Sequence, residues 1–231
     1  MKRSQRQMID SFSLDKQQKI LYPGIVVYEN ILDITENDIS DIYDTYKHLF
    51  EYEEYYELSK VKNTFLYGLN KINKKNLAEK IQKTILSCFA RYCDLYEEAI
   101  HTIQWQENIF IDVDYAGSQN YTFNPNRSFT ENDKIKNTPF SRQVCVEVII
   151  DDDYIGGSVE WPYLNNLKID KIPKGSIIFY PSNYLFSKKH DTIMSGRKIV
   201  LTTFFNGGKD FLSEENGLED EGPNLLSSYM R

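Results

Sequence analysis

This chain of 231 residues lacks several features that commonly reveal a function. It has no excess of positive charge, because 27 Lys and Arg stand against 34 Asp and Glu and the net charge is −7. A polyanion would therefore find no general basic face. No apolar run reaches about 18 residues, and no apolar segment follows the polar start at residues 1–7, so the sequence predicts neither a membrane span nor a secretory signal. Neither nucleic acid nor a membrane is expected as a partner.

Cysteine and histidine are both scarce, and neither is spaced as in a metal site. The cysteines are odd in number, and we expect reduced thiols in a cytoplasmic protein, two on a helix and one in a strand. They are Cys88, Cys93 and Cys145. The histidines are His48, His101 and His190. No nucleophile elbow, phosphate-binding loop or zinc motif occurs.

Aromatic residues, in contrast, are abundant, with 17 Tyr and 13 Phe, which suits a β-rich core or an interaction surface. The first half of the chain predicts one strand at residues 20–28 and two helices. Thr35 and Asp38 form a capping-box pattern for the first helix. Asn76 is the predicted cap of the second, whose apolar stripe runs from Leu77 to Ala99.

From Trp105 the pattern changes to short β-rich runs between Gly, Pro and Asn turns, which favours a jelly roll. The predicted fold class is α+β, mainly β: a double-stranded β-helix braced by N-terminal helices. We predict one domain, with a polar arm at 1–20, a strand and supporting helices at 21–104, the jelly-roll core at 105–211 and a polar tail at 212–231. The predicted core strands lie near 106–114, 143–150, 158–161, 167–171, 176–180, 184–189 and 198–205.

The most informative stretch is 151–162, which reads Asp-Asp-Asp-Tyr-Ile-Gly-Gly-Ser-Val-Glu-Trp-Pro. A β-branched run at 144–150 precedes it, a Pro-Lys-Gly turn and a strand follow at 172–182, and 193–198 ends in Gly-Arg-Lys. This order resembles the Fe(II)/2-oxoglutarate dioxygenases of the prolyl-4-hydroxylase-like group. The resemblance implies the double-stranded β-helix fold, and it extends back to the strand at 22–28.

The same resemblance implies an iron site of two His and one carboxylate on one face of the metal. The first His and the acid would form a His-x-Asp motif shortly after a turn such as 115–117. Asn124 and Asn126 stand at that place, and no His-x-Asp occurs anywhere in the chain. Because neutral amide oxygens are weak ligands for Fe(II), this part of the implied site is degraded.

The second iron His is implied ten residues before the cation that binds the 2-oxoglutarate carboxylate. Counting back from Lys198 reaches Lys188, whereas His190 fits only if the connection is two residues shorter. Lys188 and His190 share one face of a strand, so both positions stay open. We favour an ordinary strand or turn histidine, with a metal ligand as the alternative.

Arg197 and Lys198 are the candidates for binding that carboxylate, with Lys198 at the position implied by the resemblance. Neighbouring residues of a strand point to opposite faces, so one of the two can face the barrel interior. A solvent-facing cation at the start of a strand is an equal alternative. Asp112 and Asp114 share one face and could bind a cation, although a solvated edge is favoured.

We therefore predict a non-catalytic structural or interaction protein on a 2-oxoglutarate dioxygenase fold, a pseudoenzyme that needs no cofactor. Its expected partners are protein subunits, in a homo-oligomer or a larger assembly. The composition resembles that of dioxygenase-like bacteriophage proteins, which implies a virion structural protein; otherwise we expect a cytoplasmic location.

Two alternatives remain. The first is an active Fe(II)/2-oxoglutarate-dependent hydroxylase in which His190 and an acid (Asp112, Asp114 or Asp191) hold the metal. The second is a metal-free jelly roll that binds a carbohydrate or peptide through Trp105, Trp161 and Tyr163.

Overall fold

The computed structural model describes residues 11–51, 74–96, 103–106, 109–117, 121–123 and 142–207. The Asn124 and Asn126 positions lie outside these residues, as does His101. Within the described part of the chain, no helix is both long and apolar enough to cross a membrane.

The chain begins with helix α1 (Ser11–Gln17) and the hairpin β1 (Gln18–Tyr22) and β2 (Ile25–Tyr28). Helix α2 (Glu36–Glu51) follows. Its capping box is confirmed, because the Asp38 amide donates to Thr35 Oγ1 at 3.2 Å and the Thr35 amide donates to Asp38 Oδ2 at 3.0 Å. These two bonds satisfy amides that the first helical turn leaves without a partner.

Helix α3 (Lys75–Leu95) buries one apolar face on the outer side of the sheet. The Phe89 ring stacks on Phe205 with centroids 3.6 Å apart, and Tyr92 stacks on Phe179 at 5.3 Å. The Tyr92 hydroxyl also donates to the Gly24 carbonyl at 2.9 Å. Helix α3 thus contacts both the turn of the β1–β2 hairpin and the aromatic residues of the large sheet.

Two antiparallel sheets face one another. After β1 and β2, the strands are β3 (Ile103–Gln106), β4 (Phe110–Tyr115), β5 (Tyr121–Phe123), β6 (Arg142–Asp151), β7 (Tyr154–Gly156), β8 (Val159–Trp161), β9 (Leu167–Ile169), β10 (Ile177–Pro181), β11 (Lys188–His190) and β12 (Ile193–Gly207). The large sheet contains eight of the described strands in the order β1-β2-β10-β6-β12-β3, with β4 and β7 also paired to β12. The small sheet has the order β5-β11-β8-β9.

Alternation along the long strands separates two cores. On β6, Val146 and Val148 pack towards the helices, whereas Cys145 packs between the sheets. The same period of two places Phe205 outside and Phe204 inside the barrel. The predicted mainly β jelly roll with bracing helices is confirmed by this arrangement.

The Gly-Gly and Gly-Arg-Lys segments lie where β7 and β12, which are distant in sequence, pair as antiparallel neighbours. Gly156, Gly157 and Gly196 all have positive φ, at 82°, 64° and 82°. A Cβ at Gly196 would lie 2.1 Å from the Asp153 carbonyl oxygen, so the two backbones approach too closely for any side chain.

Several predicted boundaries were wrong. Residues 184–189 were expected to form one strand, but Tyr184–Phe186 is a 3₁₀ helix, because the Asn183 side chain accepts from the Leu185 amide, and the strand begins at Lys188. Helix α3 begins at Lys75 without a side-chain cap, not after Asn76, and ends at Leu95. Helix α1 and most of β1 lie within residues 1–20, and the division of the chain into arm, core and tail stays a prediction.

Candidate functional site

A buried cluster of polar side chains lies between the two sheets. Lys188 on β11 makes an ion pair with Glu147 on β6, and the two residues are only 1% and 6% exposed. The Tyr180 hydroxyl donates to the same Glu147 oxygen at 2.6 Å, and Cys145 Sγ donates to Tyr180 at 3.2 Å. The cluster therefore joins three strands of two sheets through one carboxylate.

Aromatic rings surround this ion pair. The Lys188 ammonium lies 5.1 Å from the Tyr180 ring centroid and 6.0 Å from that of Trp161. Burial would raise the pKa of Glu147, but the charge and hydrogen bond of Lys188 and the bond from Tyr180 lower it overall. Burial, with Cys145 and Glu147 nearby, raises the pKa of Tyr180 well above its ordinary value, so the phenol keeps its proton.

His190 and Lys198 form a second buried pair beside the first. Lys198 Nζ lies 3.5 Å from His190 Nδ1, and both side chains are buried. Burial and the ammonium groups of Lys188 and Lys198 lower the pKa of His190 well below its usual range, so the imidazole is neutral. Burial and Lys188 also lower the pKa of Lys198.

The two acids on β4 lie along the same part of β12. Asp112 and Asp114 are half-buried and are paired in register with Val200 and Lys198. Asp112 accepts a hydrogen bond from Thr202 Oγ1 at 3.2 Å. Burial raises the pKa of Asp112 to about 7, against the lowering effect of Thr202.

Arg197 and Lys198 point to opposite sides of β12, as their adjacency predicts. Arg197 forms two hydrogen bonds to Asp151 Oδ2, at 3.1 and 3.0 Å, and its guanidinium lies 4.4 Å from the Tyr43 ring centroid. Asp151 is only 5% exposed, so the acceptor of these two hydrogen bonds is buried. Lys198 is the candidate that reaches the interior.

Asp191 does not converge on His190. Its exposed carboxylate accepts from Ser158 Oγ and lies 3.4 Å from Lys168 Nζ. Among the residues that the structure describes, no three His, Cys, Asp or Glu side chains come together as a metal-binding group.

A pocket beside the clusters has a cavity volume of about 10 Å³, lined by both Glu147 and Lys188, which is the space of about one water molecule. Trp161 also lines it and is fully buried, and its indole N–H has no hydrogen-bond acceptor among the described residues. Of the aromatic residues proposed to bind carbohydrate or peptide, Trp161 thus lies in the core, whereas Tyr163 is 64% exposed.

Comparisons with solved structures identify the architecture. A viral collagen prolyl hydroxylase from Paramecium bursaria Chlorella virus 1 superposes with a TM-score of 0.51 and 16% identity, over 80% of this chain and 90% of that one. Its complex with 2-oxoglutarate gives the same TM-score and identity. A prolyl 4-hydroxylase from Phytophthora capsici matches 98% of this chain and 75% of its own, with 13% identity and a TM-score of 0.51. The chain has the prolyl-4-hydroxylase-like dioxygenase fold.

Sequence comparisons add little to this assignment. No protein-family model matches the chain. A probable serine/threonine-protein kinase, gdt4 of Dictyostelium discoideum, is 33% identical over 128 residues. That match spans 52% of this chain but only 8% of the kinase.

The residues present fit the dioxygenase iron poorly. His190 could supply one neutral imidazole, but the charged groups nearest to it are the ammonium groups of Lys188 and Lys198. Two such cations oppose a divalent metal ion in a medium of low dielectric constant. Glu147, a buried carboxylate in this region, is already bound to Lys188 and Tyr180.

Sequence reasoning missed Glu147, Tyr180 and their contact with Lys188. A signal was present, because Glu147 is the one charged residue in an otherwise apolar strand at 144–150. Charged residues are almost never fully buried unless they are paired. That rule predicts a buried cation near Glu147, although it does not identify Lys188, which lies 41 residues away.

Proposed function

We propose that this chain is a non-catalytic structural or interaction protein on the dioxygenase fold. The observation that carries the proposal is the buried Lys188–Glu147 ion pair between the sheets. Lys188 stands at one of the two positions at which the resemblance places a metal-binding His, the other being His190, and an ammonium group has no lone pair with which to bind a metal. Its partner Glu147 is held by two donors and would have to leave both in order to bind a cation.

Metal titration tests this proposal directly. Calorimetry with Mn(II) or Fe(II), with and without 2-oxoglutarate, is expected to show no binding up to millimolar metal. The matched variant His190→Ala separates a site in the barrel from chance binding at the surface. Micromolar binding that needs both 2-oxoglutarate and His190 would overturn the proposal in favour of an atypical hydroxylase, and succinate formation would then report its turnover.

Within this class, the composition supports a role as a subunit of a larger assembly such as a virion. Sedimentation of the purified chain tests this part of the proposal. A mass above that of one chain is expected, whereas a strictly monomeric protein at all concentrations would count against a structural subunit that assembles by itself.

A further inference from the structure

We propose that the side chains of Lys188 and Glu147 condense to an isopeptide bond, a covalent cross-link between the two sheets. This inference goes beyond the proposed function, because it assigns a chemical modification to the buried Lys188–Glu147 pair. It does not depend on the proposed function and is measured separately from it.

The first argument is placement. Lys188 Nζ and Glu147 Oε1 are in direct contact, and each side chain is carried by a strand in the middle of its sheet. Amide formation from a free amine and acid is unfavourable in water, where the reactants are dilute and well solvated. Two reacting groups held together by a fold have an effective molarity of about 10⁵–10⁸ M, which can offset this barrier.

The second argument is electrostatic. A buried ion pair carries a desolvation penalty that its mutual attraction only partly offsets. Condensation converts the ammonium and the carboxylate into one neutral amide. In the other ion pairs of the described residues, at least one partner is a fifth or more exposed. Water solvates those charges, so their removal would relieve a smaller desolvation penalty.

The third argument is the supply of protons. Proton transfer from Lys188 to Glu147 along their hydrogen bond gives a neutral amine and a carboxylic acid whose hydroxyl oxygen is Oε1. The Tyr180 hydroxyl donates to the same Oε1 at 2.6 Å and so assists the departure of this oxygen. The bond from Lys188 Nζ to Glu147 Cδ forms, the Cδ–Oε1 bond breaks, and Oε1 leaves with two protons as water. No oxidant or reductant is needed.

The structure also provides a place for the water that is released. The pocket lined by Glu147 and Lys188 has room for about one water molecule. It is also lined by Asp170 and Lys171, and Lys171 is exposed. Departure of water through this opening would make the condensation effectively irreversible inside the folded barrel.

Mass spectrometry of the full chain under denaturing conditions tests the proposal. The expected mass is that of the sequence less one water molecule. After trypsin, the peptide 143–168 should be joined to 175–189, because a modified Lys188 is no longer cleaved. Lys188→Arg should restore the full mass, whereas Lys198→Arg, which alters a second buried interior lysine, should keep the deficit.

A full-mass wild-type protein with free peptides 143–168 and 175–188 would overturn the proposal. So would a water deficit that persists in Lys188→Arg, because the loss would then lie elsewhere in the chain. The peptide map of the wild type decides the question even if the variant does not fold. Metal binding is read separately, so either proposal can fail while the other stands.

Discussion

At the scale of single residues, the barrel interior is organised around one carboxylate. Glu147 accepts from Lys188 and Tyr180, and its strand neighbours Val146 and Val148 pack against the helices on the opposite face. A carboxylate in this position is tolerated only while its donors remain, since an unpaired buried charge is strongly destabilising. The pair therefore fixes how the two sheets meet, and it should respond unequally to single and double substitution.

Lys188→Met should be less stable than the double variant Lys188→Met/Glu147→Leu by about 3–5 kcal/mol in the free energy of unfolding, because the single variant leaves Glu147 buried without its cation whereas the double variant removes both charges. Urea denaturation of the wild type, both single variants and the double variant measures the coupling. Additive losses would show that the two side chains do not depend on one another. Neither Lys188→Met nor the double variant can form a cross-link. The difference between their free energies of unfolding therefore reports the cost of the unpaired Glu147 carboxylate.

At the scale of elements, local signals predicted well where the chain itself supplies the partner. The Thr35 capping box was read from two residues three apart, and the alternation of Lys188 and His190 from the period of a strand. The start of α3 was missed because nothing local caps it; tertiary packing of Phe89 and Tyr92 fixes its position. The Lys188–Glu147 contact joins strands of different sheets, and no local sequence pattern predicts which distant residues will meet.

Thr35→Ala should lower the free energy of unfolding by about 1 kcal/mol, because it removes the side-chain half of the capping box. Ser87→Ala on α3 is the matched control, since its hydroxyl only donates to the Lys83 carbonyl one turn earlier. That change should be neutral or slightly stabilising. Thermal or urea unfolding compares the two, and an equal effect would mean that the cap contributes nothing.

Where β7 pairs with β12, the backbones are too close for a side chain at Gly196, and a comparison with Gly117 separates this clash from the strain of a positive φ. Gly196→Ala should destabilise by about 3 kcal/mol, because it adds a side chain at φ 82° and a clash with the Asp153 carbonyl. Gly117→Ala shares the positive φ, at 85°, but meets nothing within 4 Å. It should lose only the conformational part, about 1 kcal/mol. If urea unfolding shows that Gly196→Ala and Gly117→Ala lose the same free energy of unfolding, the backbone near Gly196 can move to make room for a side chain.

At the scale of the whole molecule, the half-buried Asp112 and the buried His190 give stability opposite dependences on pH. The folded state holds the proton of Asp112 up to about pH 7, above its ordinary pKa of 3.8, so this group's contribution falls as pH rises between about 4 and 7. His190 has a lowered pKa, so the unfolded chain takes up a proton that the folded state rejects. Its contribution falls as pH drops below about 6.5.

Asp112→Asn should therefore expose the histidine effect alone. Its stability should rise from about pH 5 to 6.5 and then stay level, whereas that of His190→Gln should fall between about pH 5 and 7. The wild type, in which the two effects oppose each other, should vary less than either variant across this range. Because Asp112 is half-buried, solvent screening limits its effect to about 2 kcal/mol. Urea midpoints at constant ionic strength measure all three curves, and parallel curves would show that neither group titrates as its burial requires.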